Sequence, residues 1–534
     1  MINRIKIHGY RIYERLDFEP NSKLNLIVGP NESGKSTLME AITLALTGRI
    51  DGRRVSEVLN PYLFNTAIVE NFVKKRINGE HAAFPEIRIE LFFDNRDELQ
   101  QLCGAINSEV PTLACPGIAM RIIPNPDYAE DLAKWVESPS EILPIEYYMD
   151  DWRTFADKKI TSRPRQLSTA IIDSRTVRTT IGVDYHLRDI LGEHLDPPER
   201  ASISLAYREV KASMSSNTLK SVNERIGKLH ASLHDRPISL AMDQSSRTSW
   251  EASVTPHVDK VPFSMSGQGQ QAAIKISLAM NKHSDRANFV MVEEPENHLT
   301  HTSLATLLAR MQSLSGEQQQ IFITTHSSFV LNRLGLDSLL LMAINEVNKL
   351  PELKPDTVSY FQKLPGYDTL RLVLADKIVL VEGPSDEIIF ERIFHDIYKK
   401  KPMECGIDVL SMRGLSHKRC LELCASLNKT VAVLRDNDGF NPDELRTPVK
   451  EWLAKEKREL FIGDVEHGTT LEPQLANFNA ESDLREILGI EEHADLDKWM
   501  KREKTECAIR IASSNKTISP PDYMKSAAEF IHGK

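Results

Sequence analysis

The stretch "KLNLIVGPNESGKSTLMEAITLAL" (23–46) determines the fold of the first part of the chain. The pattern G-x-x-x-x-G-K-[ST] occupies residues 29–36, after an apolar run typical of a buried strand and before apolar residues at helical spacing. In such a loop, backbone N–H groups surround phosphate oxygens, and the N-terminus of the helix adds positive potential. The pattern therefore predicts a nucleotide-binding site on a strand–loop–helix unit.

Two side chains of this loop have predicted contacts with ATP. Lys35 is expected to reach the β- and γ-phosphates, and the Ser36 hydroxyl is expected to bind the accompanying Mg²⁺. The predicted nucleotide-binding residues of the loop are Asn31, Gly34, Lys35, Ser36 and Thr37.

Three later segments extend the pattern. "FVMVEEPENHL" (289–299) is an apolar run that ends in Glu293, which would hold Mg²⁺, and Glu294, which would polarise the attacking water. "MSGQGQQAAIKISLAM" (265–280) is a turn of small residues that enters an amphipathic helix, and "IFITTHSSFVL" (321–331) is a strand that ends in Thr-His-Ser. By itself, the turn is better explained as an ordinary helix start.

Taken in order, these motifs resemble those of ABC-type ATPases of the branch that includes recombination and SMC-like proteins. The resemblance implies that Ser266, Gly267 and Gly269 contact the γ-phosphate of an opposite subunit, so it also implies a homodimer. It further implies that Glu294 is the catalytic base and His326 the switch histidine. The first of the two acids departs from the family pattern, since most such ATPases carry aspartate there.

An additional segment lies between the phosphate-binding loop and the small-residue turn. Apolar residues repeat there at spacings of three and four, which indicates one apolar face of a helix. These residues are Leu219, Val222, Ile226, Leu229 and Leu233. Because "DPPER" (196–200) breaks the helical pattern before them, we predict a helical insertion for dimerisation at 161–245, between ATPase parts at 1–160 and 246–370.

The second half of the chain contains strands that end in acids. In "DKIVLVEGPSDEIIFERIFHDIY" (376–398), an apolar run ends at Glu382, and Asp386 follows at the start of a helix. In "TVAVLRDNDGF" (430–440), a similar run precedes Asp436 and Asp438. With a strand and a helix between them, these elements predict a parallel sheet. Ligands gather at the carboxyl ends of such strands, so we expect the four acids to converge there.

The Asp-Asn-Asp-Gly segment allows other interpretations. An EF-hand is excluded, because placing Gly439 at loop position 6 puts Leu434 and Leu445 at the ligand positions 1 and 12. A solvated turn stays open for the segment alone. Four convergent carboxylates, however, repel one another unless cations lie between them, and hard oxygen ligands suit Mg²⁺ or Mn²⁺. Two such ions about 4 Å apart are the usual device for phosphodiester cleavage.

These acidic patterns resemble the Toprim domain of topoisomerases, primases and certain nucleases, which we predict at 371–534. An ABC-type ATPase followed by a Toprim domain resembles the OLD (overcoming lysogenisation defect) family of endonucleases. The resemblance implies that Glu472, in "GTTLEPQL" (468–475), is a ligand of a second metal ion. It also implies that Lys504, in "REKTECAIRIA" (502–512), stabilises the phosphate in the transition state. A helix-capping glutamate and a solvated lysine are the alternatives.

The composition is compatible with this assignment. A chain of 534 residues is too long for one core, and 41% hydrophobic with 27% charged residues is typical of a soluble globular protein. Six cysteines without a CxxC pair predict free thiols in a reducing cytoplasm and no zinc site. The sequence shows neither a membrane-spanning run nor a signal peptide. With a net charge of −10, the chain would bind nucleic acid through local basic patches.

The first functional hypothesis is an ATPase-coupled, Mg²⁺- or Mn²⁺-dependent endonuclease of α/β fold that nicks or cuts double-stranded DNA. The OLD resemblance implies bacterial defence against phage, with a helicase or a reverse transcriptase and its RNA as partners in some members. The alternative is a RecF- or SMC-like ATPase clamp, or a phage sensor, with an inactive Toprim domain. A topoisomerase would need a nucleophilic tyrosine in a partner domain, and no segment resembles that module.

Overall fold

The computed structural model describes residues 1–137, 142–173, 195–226, 239–244, 250, 254, 257–267, 270–271, 289–297, 299–314, 319–343, 345–349, 353–363, 369–412, 416–491 and 493–533. The chain forms two compact units. One comprises Met1–Asn25, Gly34–Thr324 and Ile344–Glu346, and the other comprises Leu26–Ser33, Thr325–Ala343 and Val347–Lys534. Within the described ranges, no helix combines the length and the apolar character needed to cross a membrane.

Strands and helices alternate through most of the described residues. The strands are β1 (Ile2–Tyr10), β2 (Tyr13–Phe18), β3 (Leu24–Val28), β4 (Arg49–Ile50), β5 (Arg53–Arg54), β6 (Ile87–Phe93), β7 (Cys103–Gly104), β8 (Cys115–Pro124), β9 (Tyr148–Thr154), β10 (Thr169–Asp173), β11 (His257–Val258), β12 (Val261–Pro262), β13 (Phe289–Glu293), β14 (Gln320–Thr324), β15 (Leu339–Ala343), β16 (Glu346–Lys349), β17 (Lys377–Val381), β18 (Ile407–Ser411), β19 (Thr430–Arg435) and β20 (Arg458–Ile462).

The α-helices of the same residues are numbered in the same way. They are α1 (Lys35–Thr47), α2 (Val55–Val58), α3 (Thr66–Ile77), α4 (Ala129–Glu137), α5 (Pro197–Ser213), α6 (Lys220–Ile226), α7 (His301–Leu314), α8 (Ser328–Leu334), α9 (Pro355–Gln362), α10 (Thr369–Leu374), α11 (Pro384–Tyr398), α12 (His417–Ser426), α13 (Pro442–Arg446), α14 (Leu471–Phe478), α15 (Glu481–Leu488), α16 (Leu496–Arg502), α17 (Lys504–Ser513) and α18 (Asp522–His532).

The first unit contains an antiparallel sheet in the order β2–β1–β6–β8, with β7 and β9 also paired to β8. Ile5 lies opposite Leu91 and Ile7 opposite Ile89, and all four side chains are buried. The residues between them in β1 are charged or polar, so the sheet has the two-residue period of a strand with one buried face. Helix α1 packs against β6 and β8. This sheet therefore supports the helix that follows the phosphate-binding loop.

The first unit also contains the parallel strands β10, β13 and β14, with β13 in the middle. Every residue of β13 is buried, as expected for a parallel strand that is covered on both faces. The register places Glu293 beside Thr324, so β13 and β14 end at the same edge. Strand β10 lies inside the range predicted as the helical insertion (161–245), and the boundaries of that insertion stay a prediction.

Two helices of the predicted insertion lie among the described residues. The segment "DPPER" begins α5: the Asp196 N–H donates to the Glu199 carboxylate at 3.0 Å, and proline occupies the first helical position. Three residues of the predicted apolar face are half-buried, namely Leu219, Val222 and Ile226. The other two, Leu229 and Leu233, lie outside the described residues.

In the second unit, β18–β17–β19–β20 form a parallel sheet, which confirms the prediction of a parallel sheet from the strand–helix order. The predicted strands are β17, β18 and β19, and β20 extends the sheet beyond them. Helices α11, α14, α17 and α18 share a buried apolar cluster with β17 and β19. Because β17 and β19 are neighbours, their carboxyl ends lie side by side, and this edge positions the candidate site.

Candidate functional site

Three acidic residues lie at the carboxyl ends of β17 and β19. Glu382 directly follows β17, and Asp436 directly follows β19. The Asp436 N–H donates a hydrogen bond to Glu382 Oε1 at 3.2 Å. Asp386 lies in the first turn of α11, where its Oδ2 accepts from the Gly383 N–H at 3.0 Å. The pairing of two parallel strands thus brings together acids that are separated by some fifty residues of chain.

The loop after β19 is held by Asn437, which is almost fully buried. Its Nδ2 donates to the carbonyls of Gly463 at 2.9 Å and Gly468 at 2.8 Å, and its Oδ1 accepts from the Gly439 N–H at 2.8 Å. The next residue, Asp438, has a left-handed backbone with φ of 49° and an exposed side chain. The two aspartates were predicted from the sequence, but the asparagine between them was not. Its position between two predicted metal ligands could have indicated a structural role.

A second group of residues contributes from α14 and α17. Glu472, in the first turn of α14, is 3% exposed, and its Oε2 accepts from the Thr470 hydroxyl at 2.9 Å. Lys504 is the first residue of α17, and its Nζ lies 3.5 Å from Glu472 Oε2. The side chain of the lysine is 51% exposed. A partly exposed ammonium group therefore lies beside a buried carboxylate.

Arg392 anchors the other end of α17. Its guanidinium donates to Asp396 Oδ2 at 2.8 Å and to four backbone carbonyls at 2.5–3.2 Å. The accepting carbonyls are those of Ile511, Ala512, Ser514 and Lys516. Since Arg392 belongs to α11, this contact ties the helix that carries Asp386 to the helix that carries Lys504.

Burial and mutual repulsion raise the pKa of three of these acids. Burial, followed by the carboxylates of Asp386, Glu382 and Glu472, raises the pKa of Asp436 to about 8, and Lys504 opposes the shift. Burial and Glu472 raise the pKa of Asp386, against hydrogen bonds from the backbone. Burial and Asp386 likewise raise the pKa of Glu382. Each ionised carboxylate therefore destabilises the others, and a cation bound among them would reduce this repulsion.

The donor set fits a divalent cation by its chemistry. Carboxylate oxygens are the ligands that Mg²⁺ and Mn²⁺ prefer, and a cation among these acids would relieve their repulsion. Among the described residues, however, no three Asp, Glu, His or Cys side chains already form a group that could hold a metal ion. Side-chain rotation would be needed to bring three of them onto one ion.

Arg435, the last residue of β19, compensates part of the negative charge. Its Nε lies 3.9 Å from Glu382 Oε1, and its Nη1 lies 3.2 Å from His417 Nε2. Since a guanidinium only donates, the histidine nitrogen accepts. Burial and the arginine lower the pKa of His417 to about 4, so the ring is neutral at pH 7. Neither residue was predicted from the sequence.

The phosphate-binding loop requires glycine at position 34. Gly34 has a left-handed backbone with φ of 96°, and an added Cβ would overlap the side chains of Ile12 and Tyr13. The Tyr13 hydroxyl donates to the Gly34 carbonyl at 2.8 Å. These contacts hold the backbone where α1 begins, directly before Lys35 and Ser36.

Lys35 and the two acids at the end of β13 interact in the first unit. Lys35 is 6% exposed, and burial lowers its pKa while Glu294 and Glu293 oppose the shift. Glu294 has a φ of 45°, its N–H donates to the Thr324 carbonyl at 3.0 Å, and its Oε2 accepts from Asn297 at 2.6 Å. The lysine and the acidic pair, which are far apart in sequence, therefore form one electrostatic group.

The other predicted nucleotide-site residues lie in separate parts of the chain. Asn31 is exposed, while Ser36 and Thr37 are half-buried. His326 is exposed in the second unit, just before α8. In the predicted signature turn, Ser266 is half-buried, and no described residue lies within 4 Å of the place where a Cβ of Gly267 would lie. Gly269 lies outside the described residues.

Comparison with known families assigns both parts of the chain. Residues 4–188 match the family described as "AAA domain", and residues 184–331 match the "AAA ATPase domain". Residues 373–438 match the "Overcoming lysogenization defect protein-like, TOPRIM domain", and this segment contains Glu382, Asp386, Asp436 and Asp438.

Individual relatives differ in how much of this chain they match. The OLD nuclease of Thermus scotoductus is 22% identical, over 99% of this chain and 98% of its own length. Endonuclease GajA of Bacillus cereus is 21% identical over 41% of this chain, and the match spans only 40% of GajA. Among solved structures, the C-terminal region of the Burkholderia pseudomallei OLD protein is 20% identical, with 30% of this chain and 97% of that chain covered and a TM-score of 0.26.

The family matches confirm the resemblance that was predicted from the motifs. The two N-terminal matches account for the phosphate-binding loop and for the acidic pair at the end of β13. The C-terminal match accounts for the parallel sheet with acids at its carboxyl edge. The chain therefore contains an ATPase domain followed by a domain that matches the OLD-like TOPRIM family.

Proposed function

We propose that this protein is an ATP-hydrolysing, divalent-metal-dependent endonuclease that nicks or cuts double-stranded DNA. The observation that carries the proposal is the acidic cluster at the edge of β17 and β19, beside Lys504. Repulsion among these carboxylates, which Arg435 and Lys504 compensate only in part, is costly to a folded domain and favours a cationic ligand. The relatives named OLD nuclease and endonuclease GajA support the reaction class.

The metal ligands are proposed to be Glu382, Asp386, Asp436, Asp438 and Glu472. Two Mg²⁺ or Mn²⁺ ions, when bound, would activate water and stabilise negative charge on the phosphate. The chain itself contributes the orientation of the ligands: backbone N–H groups hold Glu382 and Asp386, and the Thr470 hydroxyl holds Glu472.

Lys504 is proposed to stabilise the charge that develops on the phosphate. Its Nζ lies within 4 Å of the buried Glu472, yet half of the side chain is open to solvent. The Lys504 ammonium group can approach a phosphodiester from the solvent side, while α17 fixes the backbone of the residue. Electrostatic stabilisation of this kind is often the largest single contribution to catalysis.

The ATPase site is proposed to bind ATP with Mg²⁺ through Asn31, Gly34, Lys35, Ser36, Thr37 and Glu293. Glu294 would act as the catalytic base, since its backbone and side chain are held by Thr324 and Asn297. His326 would be the switch histidine. Ser266, Gly267 and Gly269 would reach the nucleotide of a second copy, so the active form would be a homodimer or a higher oligomer. The exposure of Gly267 among the described residues supports this arrangement.

The proposed biological context is bacterial defence against phage, in the cytoplasm. A helicase, or a reverse transcriptase with its RNA, would be a partner of the complete system. These proposals derive from the OLD resemblance, and the genes beside this one would identify such a partner.

A plasmid-cleavage assay tests the proposed function. Supercoiled plasmid is incubated with purified full-length protein and Mg²⁺ or Mn²⁺, with and without ATP. The variants are Asp436→Ala, Lys35→Ala and Asp443→Ala; Asp443 serves as a matched control because its side chain is 91% exposed on the next helix.

The wild type and the Asp443→Ala control are expected to nick or linearise plasmid. Asp436→Ala is expected to lose more than about a hundredfold in rate, because even outer-shell changes at metal sites cost about 10–100-fold. Lys35→Ala is expected to lose ATP hydrolysis. Intact plasmid under every condition, or equal cleavage by Asp436→Ala, would refute the nuclease and favour an ATPase clamp with an inactive TOPRIM domain.

A further inference from the structure

One exposed aromatic side chain lies in the loop after β19. Phe440 follows Asp438 by two residues and is 56% exposed. Every other phenylalanine among the described residues is buried or half-buried. Single apolar residues are common on protein surfaces, and what distinguishes this one is how it is held and what surrounds it.

Hydrogen bonds fix the backbone on both sides of Phe440. Its N–H donates to the Asn437 carbonyl at 2.8 Å, which closes a turn whose two central residues have left-handed φ values of 49° and 85°. On the other side, Asn441 Oδ1 accepts from the Asp443 N–H at 3.0 Å where α13 begins. An aromatic ring on a fixed backbone loses little conformational freedom when it binds a partner.

The loop that carries Phe440 borders the same acidic site as Lys504. The Asp438 N–H donates to the Thr469 carbonyl at 3.1 Å. Three residues after Thr469 comes Glu472, whose Oε2 lies 3.5 Å from Lys504 Nζ. A short segment thus connects an exposed aromatic ring with a half-exposed ammonium group. A DNA strand whose phosphodiester contacts the lysine would extend its next nucleotide along this border.

The charges near Phe440 favour contact with a base over contact with a phosphate. Asp438, Asp443 and Glu444 lie within four residues of it in sequence, and all three are exposed. Exposed carboxylates repel the phosphates of DNA, so the DNA backbone is disfavoured at this part of the surface. A nucleobase is uncharged and has a π-face, and aromatic side chains stack on bases of any sequence.

We propose that Phe440 stacks on a nucleobase beside the cleaved phosphodiester, and that the preferred substrate is DNA in which this base is unpaired. The inference rests on the proposed nuclease function and deepens it. In an intact duplex, neighbouring base pairs cover both faces of a base, and extruding the base costs free energy. The ring of Phe440 therefore reaches a base most easily where pairing is interrupted, and it positions the strand at the acidic site.

DNA binding by the full-length protein tests this inference. Fluorescence anisotropy measures the Kd for a fully paired duplex and for the same duplex with unpaired bases at its centre. Ca²⁺ replaces Mg²⁺ to limit cleavage, and a gel confirms that the DNA stays intact. Phe440→Ala removes the ring, Phe440→Leu keeps apolar bulk without a π-face, and Phe440→Trp keeps an aromatic face. The matched control is Met403→Ala, because Met403 is 79% exposed and precedes β18, at the edge of the sheet opposite the acids.

The wild type is expected to bind the interrupted duplex more tightly than the fully paired one. Phe440→Ala and Phe440→Leu should weaken binding of the interrupted duplex about 5–150-fold, which corresponds to about 1–3 kcal/mol for one stacked base. Phe440→Trp and Met403→Ala should bind it like the wild type. Mn²⁺ titration of the metal-free protein should give the same Kd for Phe440→Ala as for the wild type, since the proposed metal ligands are unchanged.

Equal binding of the interrupted duplex by the wild type and either Phe440→Ala or Phe440→Leu would overturn the stacking inference. Equal binding of both duplexes by the wild type would overturn the preference for an unpaired base. In either case the nuclease proposal stands if the wild type still cuts plasmid. A wild type that neither binds DNA nor cuts plasmid would refute the proposed function, and the inference would fail with it.

Discussion

Replacing Asp436 by asparagine is predicted to stabilise the metal-free TOPRIM domain while it abolishes metal binding. Burial and three neighbouring carboxylates raise the pKa of Asp436 from 3.8 to about 8. Between these values, the folded chain keeps a proton that the unfolded chain has released, so stability falls as the pH rises through this window. At pH 7 the pH lies about three units above the ordinary pKa of 3.8, which applies to the unfolded chain. Each unit lowers the free energy of unfolding by about 1.4 kcal/mol, which gives a total of about 4 kcal/mol. Asparagine carries no such cost.

Amide hydrogen exchange of the full-length protein in EDTA measures this difference. Peptides that cover β17 and β19 report the opening free energy of the TOPRIM domain by itself. The advantage of Asp436→Asn over the wild type should be about 1–2 kcal/mol at pH 5 and about 4 kcal/mol at pH 7. Asp443→Asn, at an exposed position, should stay within about 0.5 kcal/mol of the wild type at both pH values.

Added Mn²⁺ should narrow the difference in opening free energy between the two proteins at pH 7. A ligand present at a hundred times its Kd stabilises the folded state by about 2.7 kcal/mol, and only the wild type should gain this amount at the site. The reasoning is refuted if Asp436→Asn and the wild type open with the same free energy at pH 7, or if their difference does not grow between pH 5 and pH 7.

Three further substitutions test other parts of the structure. Gly34→Ala should abolish ATP binding in calorimetry, because the left-handed backbone and the overlap with Tyr13 force the loop to move; retained affinity would contradict the assigned loop geometry. Asn437→Ala removes three hydrogen bonds to backbone groups, including the one to the buried Gly463 carbonyl, and should lower the opening free energy by about 2–4 kcal/mol in hydrogen exchange. The more exposed Asn477→Ala should lower it by less than about 1 kcal/mol, and equal losses would argue against a special role for the loop. Arg392→Lys cannot reach four carbonyls at once and should speed exchange in α17 at least about tenfold, and unchanged protection there would show that the helix is held by its apolar face alone.

Local sequence patterns predicted the elements that carry the site. The apolar runs before Glu382 and Asp436 are strands β17 and β19, and the phosphate-binding loop opens α1. These predictions depend on residues that are adjacent in sequence, since a buried strand and a glycine-rich turn each have a compositional pattern within about ten residues. The parallel pairing followed from the same order of elements.

Other features had no local signal. Strand β20 and strand β10 were not predicted, because short apolar runs are recognised as strands only when their partners in the sheet are known. Glu472 and Lys504 were named by resemblance, and only the packing of α14 and α17 places their charged atoms 3.5 Å apart.

The order of residues thus determined that this protein has a phosphate-binding loop and a parallel sheet with acids at the ends of two strands. The tertiary structure decided which other groups hold the elements that carry those acids: an arginine clamp between α11 and α17, and an asparagine that holds the loop after β19. The physical reason is the range of the forces involved. Hydrophobic periodicity and turn geometry act between neighbours in the chain, whereas pKa values and hydrogen-bond partners depend on groups that only folding brings together.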